Sequence, residues 1–150
     1  MSPNAASSNL QRFVQAQDSI YTSVLAELRG GRKRSHWMWF IFPQIAGLGF
    51  SSTSQHYAIK SAEEARQYLQ HPILGPRLLE CCQTVLEISG HSAHDIFGSP
   101  DDLKLKSSMT LFETVAAPNA PFAAVLERYF QGQRDSKTLA ILKQLASAGN

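Results

Sequence analysis

An all-α domain is what this 150-residue chain predicts, and three observations predict it. Apolar residues recur at three- and four-residue spacing in segment after segment, the period of helices with one buried face. Helix punctuation bounds these segments, with Ser or Asp at their starts and Gly or Pro near their ends. No pair of alternating apolar and polar runs flanks an Asn-Gly or Asp-Gly turn, so hairpins are not expected. The expectation is a single compact domain over residues 9–146, built from about eight short helices. Residues 1–8 are expected to be a flexible N-terminus and residues 147–150 a flexible tail.

In chain order, Asn9 or Ser8 can cap a first helix carrying Leu10, Phe13, Val14 and Gln17. Asp18 breaks the pattern, and Ile20, Tyr21, Val24, Leu25 and Leu28 form a second stripe that Gly30-Gly31 ends. His36 to Phe42 is short and apolar and reads as a brief helix stopped by Pro43, with a loop from Gln44 to Ser54. Ser61 and Glu64 form a capping box for a helix to about Leu69. His71-Pro72 opens a further turn, and Pro76 to Ser89 is a long helix with Leu78, Leu79, Cys82, Val85, Leu86 and Ser89 inward. Ser92 to Phe97 is a short helix closed by Gly98. Ser99-Pro100-Asp101-Asp102 then supplies a cap, a proline and two acids for a helix whose buried stripe is Leu105, Met109, Phe112 and Ala116. Met109 and Phe112 are expected to pack on the aromatic block of Trp37 to Phe42. Asn119 to Tyr129 repeats the design, and Asp135 caps a last helix with Leu139, Leu142 and Leu145 inward.

A hydrophobic fraction of 43% with 17% charged residues is that of a globular protein, and a net charge of +2 argues against general affinity for nucleic acid. No run of apolar residues is long enough for a membrane span, and Met1 to Asn9 lacks the layout of a secretory signal. Cys81 and Cys82 are neighbours on a helical pattern, point about 100° apart and read as reduced thiols in a cytoplasmic protein.

The charge is uneven. Between Leu28 and Ala62 lie five cations, Arg29, Arg32, Lys33, Arg34 and Lys60, and no acid. The same stretch carries six aromatics, including both tryptophans, and the glycines Gly30, Gly31, Gly47 and Gly49. Arg32, Lys33 and Arg34 read either as a solvated loop or as an anion clamp, since flanking glycines let backbone N–H groups approach a ligand. Trp37, Trp39, Phe40 and Phe42 are core candidates, with one indole, Trp37, able to stack on a planar ring. His36 and His56 stand at either end of the aromatic stretch and are the general acid/base candidates. Gly47, Gly49, Ser51 and Tyr57 would line a ligand loop, although Gly47-Leu48-Gly49 is no dinucleotide fingerprint. On the helix after Ser99, Asp102, Lys104, Ser107, Ser108 and Thr110 make a polar side, read either as solvent face or as the wall of a pocket, with Asp102 and Lys104 as its charged, catalytic members. The histidine spacing suggests no metal site, and no cofactor is implied.

The segments ELRGGRKRSHWMWFIFPQ, GLGFSS, YLQHPILGPRL, DDLKLKSSMTLF and FQGQRDSKTLAIL together resemble a bacterial family, DUF eighteen-ten, over Leu10 to about Leu142. The resemblance implies a mostly helical domain and no established activity. The calpastatin label sometimes attached to it does not fit, since calpastatin is disordered whereas this chain is capped and patterned throughout. Ser54-Gln55-His56-Tyr57 and the helical layout also resemble the superfamily that processes NAD and ADP-ribose derivatives. The functional expectation is a domain that binds or processes a phosphorylated, nucleotide-like small molecule in a basic, aromatic, glycine-lined pocket. Its alternatives are a nucleic-acid module using the Arg32–Arg34 loop with Trp37 and Trp39, and a protein-interaction domain. The expected partner is an anionic small molecule, with nucleic acid ranked below it, no membrane, and a monomer or weak dimer.

Overall fold

Burial all round marks one helix as the centre of this protein: α8, Asp101–Glu113, whose residues 107–112 are all buried. The computed structural model describes residues 9–148, so the expectations for residues 1–8 and 149–150 lie outside it. Before α8 come α1 (Gln11–Asp18), α2 (Tyr21–Arg29), α3 (Met38–Ile41), α4 (Ser52–His56), α5 (Ala62–Gln70), α6 (Leu74–Glu87) and α7 (Ala93–Phe97). After it come α9 (Phe122–Phe130) and α10 (Ser136–Ala148). The class is all-α, as predicted. Among the described residues the sole β pairing is a parallel bridge of Ile45 with Ile59, where Ala46 N–H donates to Ile59 O at 2.7 Å and Ile59 N–H to Gln44 O at 2.8 Å.

Helices α5, α7, α9 and α10 pack around α8, and α6 joins α2, α5 and α9. Rings cross the core in a file: Phe122 stacks on Phe112 at 5.8 Å, Phe112 meets Tyr68 at 5.3 Å, and Tyr68 meets Phe13 edge-on at 5.2 Å. Phe13 then meets Tyr57, and Tyr57 meets Phe40. Met109 and Phe112 are fully buried, as expected, and the file of rings links Phe112 to Phe40 of the Trp37–Phe42 block by way of Tyr68, Phe13 and Tyr57. Trp37 packs instead on Phe42 and Phe97.

Local chemistry explains the boundaries. Asp18 ends α1, but the first cap is Leu10, with no side-chain hydrogen bond. Ser61 Oγ accepts from Glu64 N–H at 3.1 Å, while the Glu64 carboxylate takes Lys60 N–H at 2.7 Å, so the reciprocal arm falls one residue early. The complete capping box is Ser92 with Asp95 on α7. α6 starts at Leu74 because His71 Nδ1 accepts from the N–H groups of Ile73 and Leu74. Pro76 then sits in the first turn, where its missing N–H costs nothing. Helix α4 begins inside the segment expected as loop to Ser54, because its five residues, STSQH, carry no apolar stripe. The inward stripe of α10 is Thr138, Ile141 and Leu142 rather than Leu139, Leu142 and Leu145, and the helix runs on to Ala148. Leu79 and Ser89, expected inward on α6, are exposed. Cys81 and Cys82 are free thiols, both buried, and burial pushes Cys81 up to about 12. Among the described residues no helix is long and apolar enough to cross a membrane.

Candidate functional site

The basic loop between α2 and α3 is organised by an acid from outside the acid-free window. Glu27, in the last turn of α2, accepts from Arg34 N–H at 2.7 Å, Ser35 N–H at 3.1 Å and Trp37 Nε1 at 2.8 Å, and from Ser35 Oγ at 2.5 Å. Desolvation pushes its carboxyl up, but the hydrogen bonds from Ser35, Arg34 and Trp37 outweigh that and hold it below the usual carboxylate range. The backbone donors expected to meet a ligand are therefore taken by an internal carboxylate. Trp37 is 1% exposed and anchors the loop in the core, so it is no stacking platform.

Lys33 turns inward from the same loop. Its N–H donates to Ile96 O at 2.7 Å, and its ammonium pairs with Asp101 at 2.9 Å while lying 5.2 Å over the Trp37 ring. Asp101 also pairs with Lys104 at 3.4 Å, and the Lys104 ammonium lies 5.0 Å over Trp39. The basic loop and Lys104, some seventy residues apart in sequence, thus meet at one carboxylate on the first turn of α8.

Trp39 walls a cleft of about 90 Å³ beside the Ile45–Ile59 bridge. Gly47, Gly49, Ser54, Tyr57 and Lys60 line it, together with Gln44 and Gln55. A space of that size holds several waters, enough for a phosphate or part of a ring. Two glycines are required by geometry. Gly47 has φ +106°, and a Cβ at Gly49 would sit 2.7 Å from the Ser54 side chain. Arg12 fixes the far wall, since its Nε donates to His56 O at 2.7 Å and a terminal nitrogen to Ala58 O at 2.8 Å. It pairs in turn with buried Glu64 at 3.5 Å.

The predicted site residues therefore separate. Gly47, Gly49 and Tyr57 line the cleft; Lys104 is not among its lining residues but lies over the ring of Trp39, which is. Ser51 caps α4 through Ser54 N–H, and the exposed His56 ring meets Tyr57 edge-on at 4.6 Å. His36 is exposed, and Arg32 and Arg34 lie outside the cleft, in a groove with His91 and His94. Asp102 accepts from Leu103 N–H at 2.9 Å and lies 3.6 Å from His94, not in the cleft. Ser107, Ser108 and Thr110 are buried, so the polar side of α8 is not a pocket wall. Ser107 Oγ shares its one proton between Leu103 O and Asp135 Oδ2, and Thr110 Oγ1 donates to Lys106 O and accepts from Asp135 N–H. These hydroxyls seat the start of α10. Sequence reasoning missed Glu27, Asp101, Arg12 and the cleft residues Gln44, Ser54, Gln55 and Lys60, and it chose Trp37 over Trp39. Among the described residues no three His, Cys, Asp or Glu side chains gather as a metal ion requires.

The family described as a protein of unknown function (DUF1810) matches over residues 7–142. The crystal structure at 1.38 Å of the conserved hypothetical protein Rv1873 from Mycobacterium tuberculosis is 54% identical and superposes with a TM-score of 0.88, covering 89% of this chain and 96% of that one. No curated protein matches the chain.

Proposed function

We propose that this chain, which belongs to the DUF1810 family, binds an anionic small molecule carrying a planar ring in the Trp39 cleft. The ligand class is nucleotide-like, with NAD and ADP-ribose derivatives as its first members to try. The supporting observation is the charge balance at Asp101. Two ammonium groups share one carboxylate, and among the described residues no second acid lies within 4.0 Å of either. The side chains of Lys33, Asp101 and Lys104 are only 9%, 20% and 24% exposed. A net positive charge withdrawn from water is costly until an anion joins it. The indoles under each lysine offset part of that cost through their negative faces. A phosphate at Lys104 would offset the rest, and Trp39 beneath offers a surface for the attached ring. Binding is the part of the expectation this geometry favours, because neither His36 nor His56 points to a partner that would make it an acid or base.

Trp39 is half-buried at the cleft whereas Trp37 is sealed in the core, so ligand-dependent quenching of tryptophan fluorescence should report Trp39 alone. NAD, ADP-ribose, nucleoside phosphates and sugar phosphates should be titrated while melting temperature is followed. At least one should quench and stabilise, Trp39→Phe should abolish the quench, and Lys104→Met should weaken binding by about 1–3 kcal/mol. The reading fails if none of the panel raises the melt at millimolar concentration, or if Lys104→Met binds as tightly as the parent.

A further inference from the structure

We propose a second phosphate site, separate from the Trp39 cleft and independent of what that cleft binds: the groove between the basic loop and α7. Arg32 and Arg34 form one side of this open groove of about 730 Å³, His91 and His94 the other, and Gly31 and Gly98 lie between. Lys33 belongs to the groove only through its backbone. Its N–H ties the loop to Ile96 O across the groove, and its ammonium is spent on Asp101 beneath. The two walls are thus stitched together, and the charge left facing solvent is that of Arg32 and Arg34. Neither guanidinium has an ion-pair partner among the described residues, although both are exposed in a fold whose other arginines mostly find one.

Gly31 fixes the width. At φ +81° its Cα lies against the His91 ring, where a Cβ would sit 3.4 Å from Cδ2, so a bulkier residue would strain the turn and crowd the imidazole. One acid, Asp95, also lines the groove, and Asp102 lies close to it, but both are engaged. Asp95 accepts from Ser92 N–H at 3.0 Å and lies 3.9 Å from His91, and Asp102 lies 3.6 Å from His94. Glu27 occupies the loop N–H groups of residues 34 and 35, so a ligand here is held by side chains and not by backbone. Two guanidinium groups along one groove suit the oxygens of a phosphate, which they can engage in bidentate fashion, and the histidines of the other wall can add N–H donors. Two arginines give too small a footprint for a duplex. They fit a terminal phosphate or a single-stranded phosphodiester equally well.

The test is a nitrogen–proton correlation titration read at glycine amides, because glycines line both places. Sodium pyrophosphate, a short single-stranded oligothymidylate and sodium chloride at matched ionic strength are the three arms. Pyrophosphate should shift Gly30, Gly31 and Gly98, whether or not Gly47 and Gly49 respond through the cleft, with sodium chloride inert. The double variant R32A/R34A should retain the parent's melting temperature, since exposed cations contribute little to folding. It should weaken binding about a hundredfold, tenfold for each charge-assisted contact removed. If only the oligonucleotide moves those glycines and the double variant abolishes it, the site stands and its phosphate comes from a polymer. Shifts confined to Gly47 and Gly49, equal shifts with sodium chloride, unchanged binding in R32A/R34A, or no shift in any arm would each overturn it.

Discussion

Glu27→Gln isolates what one carboxylate contributes to the loop that shapes this face of the protein. Four donors converge on Glu27: two loop N–H groups, the Ser35 hydroxyl and the indole N–H of a tryptophan that is 1% exposed. A hydrogen bond to a charged group contributes roughly 1.5–3 kcal/mol against about 0.5–1.5 for a neutral one. Glutamine keeps the shape and one acceptor oxygen, so each bond weakens by about 1 kcal/mol at most, and less where three donors share Oε1. The expected loss is about 2 kcal/mol, read as a lower urea midpoint with unchanged slope. Glu27→Ala should cost more, because the buried Trp37 N–H is then unpaired. The pH dependence carries the sign. A carboxyl whose folded pKa is depressed gives stability that is complete above its unfolded pKa and lost as pH falls through the folded one. The parent should therefore lose stability across the acid range below the ordinary glutamate value, and the glutamine variant should lose less over that same window. A midpoint within error of the parent, with an identical acid profile, would show that the loop is held by core packing of Trp37 alone and would refute the assignment.

Two further predictions bear on the framework. Phe112→Ala removes the ring between Phe122 and Tyr68 in a fully buried position, and should cost about 3–5 kcal/mol in chemical denaturation. A near-neutral effect would take α8 out of the core. Asp135→Ala removes the acceptor of Thr138 N–H at 3.1 Å, of Thr138 Oγ1 and of Ser107 Oγ. It should cost about 2–3 kcal/mol, a lost N-cap plus a buried hydroxyl left short of a partner, with hydrogen exchange in α10 accelerated before that of α8.

Helix existence was legible because it is written locally. The spacing of Val24, Leu25 and Leu28, the glycines after Arg29 and the short Ser92–Phe97 segment closed by Gly98 each act within a turn or two, and the structure keeps them all. What was not legible depends on burial from elsewhere. Ser107, Ser108 and Thr110 look like a polar face because hydroxyl groups are usually solvated. Here all three are buried, and the hydroxyls of Ser107 and Thr110 bond to the α8 backbone and to Asp135, while the Ser108 hydroxyl has no partner among the described residues. Sequence spacing gives the angle at which a residue leaves its helix but not whether another helix lies there. The α10 stripe failed for a related reason: its buried side is set by Thr138, a polar residue whose hydroxyl and N–H both close on Asp135.

Charge was the subtler case, since an acid-free window in sequence is not one in space. Glu27 stands one residue before the window opens and folds back over its loop, and Asp101 arrives from far along the chain to neutralise Lys33. The five cations that read as one field are thereby sorted into different roles. Lys33 becomes internal structure, and Lys60 lines the cleft. Arg32 and Arg34 keep their charge for the groove, and Arg29 stands in the last turn of α2, where a cation complements the helix dipole. Lys104, which sequence grouped with Asp102 and the buried hydroxyls, joins Lys33 through Asp101 and leaves an uncompensated charge above Trp39. That imbalance exists only once three segments have met, so no reading of any single stretch could locate it. A polar group buried with its partner describes a fold, whereas a cation withdrawn from water in excess of its acids is the feature on which the proposed anion site rests.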